Sequence, residues 1–211
     1  MSEVPGLLLW MDLEMTGLDA DRDAIVEIAA LATNASQLEP LDAGVSFVVH
    51  QPEEVLVGMN DFVRAMHERS GLLEEIRAST LGLAEAGAQV LEYLKGHAPT
   101  PRTAPLCGNS IGMDRRFLAR HLPEIEDHLH YRSIDVSSVK ELVKRWYPTV
   151  DAERPHGHGS HRALDDIRES IREMAYYRDR VFVDRSSVQP GAEAAGEQTA
   201  HDATDAVSAN G

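Results

Sequence analysis

Hydrophobic residues recur along this chain with two different periods. Near the N-terminus the run Leu7-Leu8-Leu9-Trp10 passes into Met11-Asp12-Leu13-Glu14-Met15, and this continuous apolar stretch predicts a strand leaving through a turn at Thr16-Gly17. A polar loop follows over residues 19–23. Residues 24–33 mix β-branched side chains with alanines, and their shortness between loops predicts a second strand rather than a helix. Residues 44–50 alternate apolar and polar, predicting a third strand closed by Gln51-Pro52. Three strands in succession suggest an antiparallel beginning to a sheet.

The middle of the chain changes to a helical period. Residues 59–78 carry apolar positions at helical spacing, interrupted at Ser70-Gly71, so two helices are expected there. Leu83, Val90, Leu91 and Leu94 mark a further helix that stops near Gly96 and Pro99. An extended segment over 105–110 precedes a helix that opens at Asp114 and ends before Pro123. A short strand over 133–136 leads to a helix through Leu142, Val143 and Trp146, with Ser137 or Ser138 as its expected cap. Residues 153–160 have the composition of a loop, in which His156 and His158 are expected to be solvated. Leu164, Ile167, Ile171, Met174 and Ala175 then form the core stripe of a last helix over about 162–177. Strands, helices, then alternating strands and helices predict a single mixed α/β domain.

Composition bounds this picture. With 211 residues the chain suits one domain: an N-terminal extension over 1–6, a folded domain over 7–184, and a tail over 185–211. That tail lacks aromatic residues and is rich in Ala, Glu, Ser, Asp and Gly, so it is expected to be disordered and acidic. The single cysteine, Cys107, has no partner for an internal disulfide and is expected to be a small buried hydrophobe in a reducing compartment. No basic N-terminal segment precedes the first apolar run, and no run is long enough to span a membrane, so a cytoplasmic location is expected. The formal net charge of −15 argues against stable binding of long nucleic acids, yet a metal in a carboxylate site can reverse the local field. A short, locally gripped anionic substrate remains compatible with that balance.

Candidate chemistry lies in the acids. Asp12 and Glu14 are two residues apart in a strand, so both point to one face. Concentrating negative charge at the edge of a core is costly unless a cation neutralises it. An Asp-x-Glu pair is common, however, and alone it reads as a solvated turn. Asp114 follows a small-residue turn and suits a helix N-cap as well as it suits a ligand. Asp165 and Asp166 lie in the first turns of the last helix, where the macrodipole favours acids in any case. Helical periodicity brings His161 nearer to Asp165 than to Asp166.

Three phrases in order carry a more specific signal: Asp12-Leu13-Glu14-Met15-Thr16-Gly17, Gly108-Asn109-Ser110 leading to Asp114, and His161 five residues before Asp166. Together with Trp10 to Leu18, the phrase His161-Arg162-Ala163-Leu164-Asp165-Asp166-Ile167-Arg168-Glu169-Ser170, and Ala175-Tyr176-Tyr177-Arg178, they resemble the oligoribonucleases among the DEDDh exonucleases. The resemblance covers about residues 7–179. It implies a ribonuclease-H-like fold, a mixed sheet flanked by helices, and 3′→5′ hydrolysis of very short RNA, dinucleotides especially, to nucleoside monophosphates. It also implies two divalent ions, Mg²⁺ or Mn²⁺, held by Asp12, Glu14, Asp114 and Asp166, with His161 as the base. Its spacing selects Asp166 over Asp165 and requires His161 to stand in the loop before the helix.

For substrate binding the resemblance points to Leu18 and Phe62 bracketing bases, although the family most often carries Trp at the latter position. Ser110, Tyr131, Arg132, Ser137 and Lys140 match positions that hold the 5′-side phosphate or line the site. Tyr131 is supplied by the partner subunit in this family, which implies a homodimer. A haloacid-dehalogenase-like phosphatase also starts from an acid-x-acid-x-Thr strand end, but Glu14 and Asn109 break its pattern. A DNA-proofreading exonuclease shares the chemistry, and the oligoribonuclease phrasing argues against it.

Overall fold

Trp10 and Met11, both inaccessible to solvent, sit in the middle of the middle strand, and the rest of the domain is layered around them. The computed structural model describes residues 6–155, 157 and 160–183; the expected tail over 185–211, most of the N-terminal extension, His156 and His158 lie outside the described residues. Strands β1 (Leu7–Met15), β2 (Ile25–Asn34) and β3 (Val45–Val48) come first. Helices α1 (Glu53–Val57), α2 (Asp61–Arg69), α3 (Leu72–Ala78) and α4 (Leu83–His97) follow. Then come β4 (Pro105–Gly108), α5 (Gly112–His121), α6 (Pro123–His128), β5 (His130–Asp135), α7 (Val136–Trp146), α8 (Pro148–Ala152) and α9 (Ala163–Val181).

The five strands form one mixed sheet in the order β3-β2-β1-β4-β5. β1 pairs antiparallel with β2, β2 antiparallel with β3, and β4 runs parallel to both β1 and β5. The antiparallel beginning expected from three successive strands is present. Gly108, at the end of β4, lies where a Cβ would come 2.9 Å from the Met11 carbonyl oxygen, so a side chain there would push β4 off the central strand.

Because side chains alternate across a strand, β1 feeds two cores. Leu9, Met11 and Leu13 join Val90 and Leu94 of α4 and Phe117 and Leu118 of α5 on one face. Leu8 and Trp10 join Val143 of α7 and Ala163, Ile167, Ile171 and Tyr177 of α9 on the other. Asp12 and Glu14 continue the Leu8–Trp10 stripe, so the strand's alternation aims both acids at the side covered by α9. Trp10 keeps its polar edge satisfied by donating from Nε1 to Thr33 Oγ1 at 2.9 Å. A third cluster packs Val26 against Leu56, Val63, Leu72 and Ile76 of α1–α3.

Several local expectations are corrected. The third strand is shorter than its alternating pattern, Val45–Val48 instead of 44–50. The α7 cap is Asp135, whose carboxylate accepts from the Ser137 amide at 2.9 Å; the residue just outside the helix, rather than a serine inside it, reaches the free N–H groups. Helices α1, α6 and α8 are five or six residues long, too short to display a period, and were not anticipated. Cys107 is buried, as expected, and burial pushes its thiol pKa upward. Among the described residues no helix is long and apolar enough to cross a membrane.

Candidate active site

Four acids from three elements converge at the C-terminal end of β1. Asp12 and Glu14 come from the strand itself, Asp114 from the first turn of α5, and Asp166 from the first turn of α9. Glu14 and Asp114 are buried at 7% and 6% exposure, unusual for acids that no Lys or Arg side chain pairs among the described residues. Asp114 is not the N-cap of its helix, a position taken by Ile111; its Oδ1 instead accepts the Leu13 amide at 2.9 Å, between the two strand acids. Glu14, His161 and Asp166 each offer a ligand atom, and these atoms all lie within 4.8 Å of one another.

His161 stands outside α9, at a backbone φ of 50°. That left-handed step frees it from the helical period, which is why it reaches Asp166 rather than Asp165. Asp165 turns outward and pairs with Arg168 at 3.0 Å. Ser160 Oγ donates to Asp166 Oδ1 at 3.4 Å. On the β1 side, Gly17 faces the Asp23 carboxylate so closely that a Cβ would lie 2.4 Å from it. Asp23 in turn accepts from Thr16 Oγ1 at 3.1 Å and the Asp19 amide at 2.9 Å, so the turn out of the strand is closed on itself.

Burial, before any neighbouring charge, raises all four acids. Burial, then the charges of Asp166, Glu27 and Asp114, push Glu14 up to about 8. Burial pushes Asp114 up to about 7 against the pull of its own and Leu13's amides. Burial also pushes Asp166 up to about 6, with His161 acting in the opposite sense. Asp12 is held well above the ordinary carboxylate range by burial and by Asp114, Glu14 and Asp166. This is the electrostatic state of oxygen donors waiting for positive charge, and hard divalent ions prefer such donors. The donor set therefore fits a divalent metal centre of Asp12, Glu14, Asp114 and Asp166.

The structure brings some of the other expected site residues to this centre and not others. A cavity of about 570 Å³ is lined by Asp12 and Asp166 together with Lys140, Arg154 and Arg172. Lys140 reaches Glu173 at 3.1 Å. Ser110, at a φ of 59°, donates its amide to Asp135 Oδ1 at 3.0 Å, and Ser137 donates both its amide and its hydroxyl to the same oxygen. Leu18 is 68% exposed and lines a second cavity of about 770 Å³ with Thr16, Arg22 and Asn60. Phe62, two residues beyond Asn60 on α2, is 73% exposed and does not line either cavity. Tyr131 and Arg132 are also apart from both; Arg132 lies over the Tyr131 ring at 5.3 Å on β5, with Tyr131 72% exposed.

Sequence reasoning missed three residues beside the site. His67 is fully buried on α2; its Nε2 lies 2.9 Å from the Met15 carbonyl oxygen, and its Nδ1, without a hydrogen-bond partner among the described residues, lies 3.9 Å from Glu14. Glu173 accepts from Asn109, Arg154 and Tyr177 as well as meeting Lys140, and its helical spacing from Asp166 and Ser170 was the available signal. Glu27 is the single charge within the otherwise uncharged strand β2, a signal that gave no hint of its partner.

The sequence profile of the family described as RNase_T, exonuclease, matches residues 9–174. The chain is 52% identical over 177 residues to the oligoribonuclease of Nocardia farcinica, covering 84% of this chain and 82% of that protein. It is likewise 52% identical over 184 residues to the oligoribonuclease of Streptomyces avermitilis, covering 87% of this chain and 89% of that one. Among solved structures, exonuclease I superposes with a TM-score of 0.66 at 16% identity, and E. coli exonuclease I bound to a dA16 oligonucleotide with 0.65 at 16%. Each of these covers 83% of this chain, which spans about two-fifths (41%) of the length of either exonuclease I chain. At that identity the likeness is one of fold alone, a ribonuclease-H-like sheet with flanking helices.

Proposed function

This chain belongs to the oligoribonuclease family within the exonucleases, and from that premise we propose that it hydrolyses very short oligoribonucleotides, dinucleotides above all, from the 3′ end to nucleoside monophosphates. The observation that carries the reading is the gathering of Glu14, His161 and Asp166 within 4.8 Å of one another, beside Asp12 and Asp114. Two divalent ions, Mg²⁺ or Mn²⁺, bound by Asp12, Glu14, Asp114 and Asp166, would supply charge neutralisation at the scissile phosphate and stabilise the attacking and leaving oxygens.

The chain's own groups do the rest. His161 accepts a proton from the water whose oxygen bonds to phosphorus, a task suited to an imidazole. The phosphorus–O3′ bond breaks; the oxygen leaves with the 5′-side nucleotide and takes a proton from solvent water, and the phosphate stays on the released 3′-terminal nucleotide. The φ of 50° that lifts His161 out of the helix supports this role, because it turns the ring toward Glu14 and Asp166. Leu18 and Phe62 bracket the bases; stacking on an aromatic ring is sequence-tolerant and contributes roughly 1–3 kcal/mol per base.

Ser110, Ser137, Lys140 and Arg132 hold the 5′-side phosphate or line the site, with Tyr131 contributed by the partner subunit of a homodimer. The exposure of Tyr131 and its absence from the lining of both cavities favour that trans role. A fixed phosphate pocket at one end and a metal centre at the other measure length, which makes short oligomers the preferred substrates. The reading also places the enzyme in the cytoplasm, as a domain over 7–184 with an acidic tail.

Product analysis with 5′-labelled RNAs of about two to seven residues, with and without Mn²⁺, tests the reading. Metal-dependent cleavage that is fastest on the dinucleotide is expected. Equal rates at every length would overturn the length-measuring pocket, and strong activity on long DNA would favour a proofreading role.

A further inference from the structure

Glu27 is opposite Glu14 in the β1–β2 pairing, and its side chain is only 2% exposed. Like charges directly opposite on one sheet face repel, so this position needs a counter-ion. Arg162 provides it: Nε and Nη2 each donate to the Glu27 carboxylate at 3.2 Å. The outer edge of the same guanidinium grips Glu75 of α3, with Nη1 and Nη2 donating at 2.8 and 2.7 Å. Ser46 Oγ donates to Glu27 Oε1 at 2.9 Å, tying the carboxylate to β3 as well.

Glu27 also reaches the start of α9. Its Oε2 accepts the Ala163 amide, the first N–H of the helix, at 3.2 Å. A carboxylate from a different element thus caps this N-terminus and complements its dipole. The Arg162 carbonyl in turn accepts the amides of Asp165 and Asp166, each at 3.0 Å. One residue earlier, His161 holds a left-handed φ of 50°, a conformation that persists in a non-glycine residue only where its surroundings over-determine it.

We propose that Glu27, Arg162 and Glu75 form a positioning clamp that sets His161 and Asp166 from outside the catalytic centre. Glu27 fixes where α9 begins, and hence where Asp166 projects. The two-sided grip on Arg162 fixes the backbone step that turns His161 toward Glu14. The clamp touches neither substrate nor reacting atoms; the charges of Glu27 and Arg162 act on Glu14 in opposite senses, so the double variant removes both together and placement is what it loses. The inference rests on the reading of His161 as the proton acceptor.

The test compares Arg162→Gln, the double variant Glu27→Gln with Arg162→Gln, Glu75→Gln and His161→Ala, measuring Tm, kcat and KM for a dinucleotide at saturating Mn²⁺. Arg162→Gln strands a buried carboxylate and lowers both Tm and kcat; the double variant removes that unpaired charge and recovers most of the Tm. In the double variant kcat stays about 10²-fold low while KM moves by less than about threefold, as expected when an oriented group is displaced. Glu75→Gln, at the half-exposed outer edge, leaves Tm unchanged and lowers kcat about threefold or more. A double variant with recovered Tm and wild-type kcat overturns the clamp. Should the double variant fail to fold, an unchanged kcat in Glu75→Gln overturns it instead. Full turnover in His161→Ala overturns the proton-acceptor reading and the clamp with it, whereas an inactive His161→Ala beside a fully active double variant overturns the clamp alone.

Discussion

The backbone amide of Leu13 donates to Asp114 Oδ1 at 2.9 Å, joining positions 101 residues apart. That bond threads a carboxylate of α5 between Asp12 and Glu14 on the central strand. An asparagine at 114 keeps an oxygen for the Leu13 amide and loses only the charge. Asp114→Asn is therefore expected to abolish metal-dependent turnover while the metal-free Tm at about pH 8 holds or rises, since the buried charge was costly there. Calorimetry beside a dinucleotide assay checks both halves; a collapse of Tm would assign Asp114 a structural role.

The raised carboxyls make the stability of the metal-free protein depend on pH. A carboxyl whose folded pKa lies above its ordinary value stabilises the fold while protonated. That contribution is complete below the ordinary values of 3.8 and 4.5 and is lost as pH rises through about 6 for Asp166, 7 for Asp114 and 8 for Glu14. The metal-free Tm should fall between about pH 6.5 and about pH 8.5, a range above the lowered titration of buried His67. Added Mn²⁺ should raise Tm more at the higher pH, where the donors are ionised. A metal-free Tm that climbs with pH over this range would contradict the electrostatics of the site.

Glu173 holds Asn109 at 3.1 Å, Lys140 at 3.1 Å and Arg154 at 2.9 Å, so one buried carboxylate organises the polar part of the cavity that Asp12 and Asp166 also line. Glu173→Gln keeps the shape and releases the two cations. KM for a 5′-phosphorylated dinucleotide should rise about tenfold, with kcat changed much less, because this polar part grips substrate without joining the chemistry. Steady-state kinetics decide; an equal fall in kcat with KM constant would move Glu173 into the reacting machinery.

Ile167, 1% exposed, packs α9 against the β1 face that carries Asp12 and Glu14. Ile167→Ala should cost about 2–5 kcal/mol in urea unfolding, the range for deleting a buried branched side chain. Its turnover at low temperature, where the variant stays folded, should also fall if seating α9 is what seats Asp166. Full activity at that temperature would separate the packing of the helix from the placement of its first turn.

Much of this was legible in the chain alone. The apolar run through Trp10, the period-two spacing of Asp12 and Glu14, and the core stripe of Leu164, Ile167 and Ile171 are local patterns, and local sterics and burial suffice to turn them into a strand with two same-face acids and an amphipathic helix. What periodicity left open was decided by contacts between distant segments. Whether Asp114 capped its helix depended on the Leu13 amide, 101 residues away in the chain. The choice between Asp165 and Asp166 depended on a left-handed residue at 161 that no helical count includes. The lone charge of Glu27 in an otherwise uncharged strand acquired a meaning only when Arg162, 135 residues later, closed on it. Spacing along a chain records which face a side chain takes; only the packed sheet and helices record what stands opposite, and for buried charge the opposite partner decides the energy.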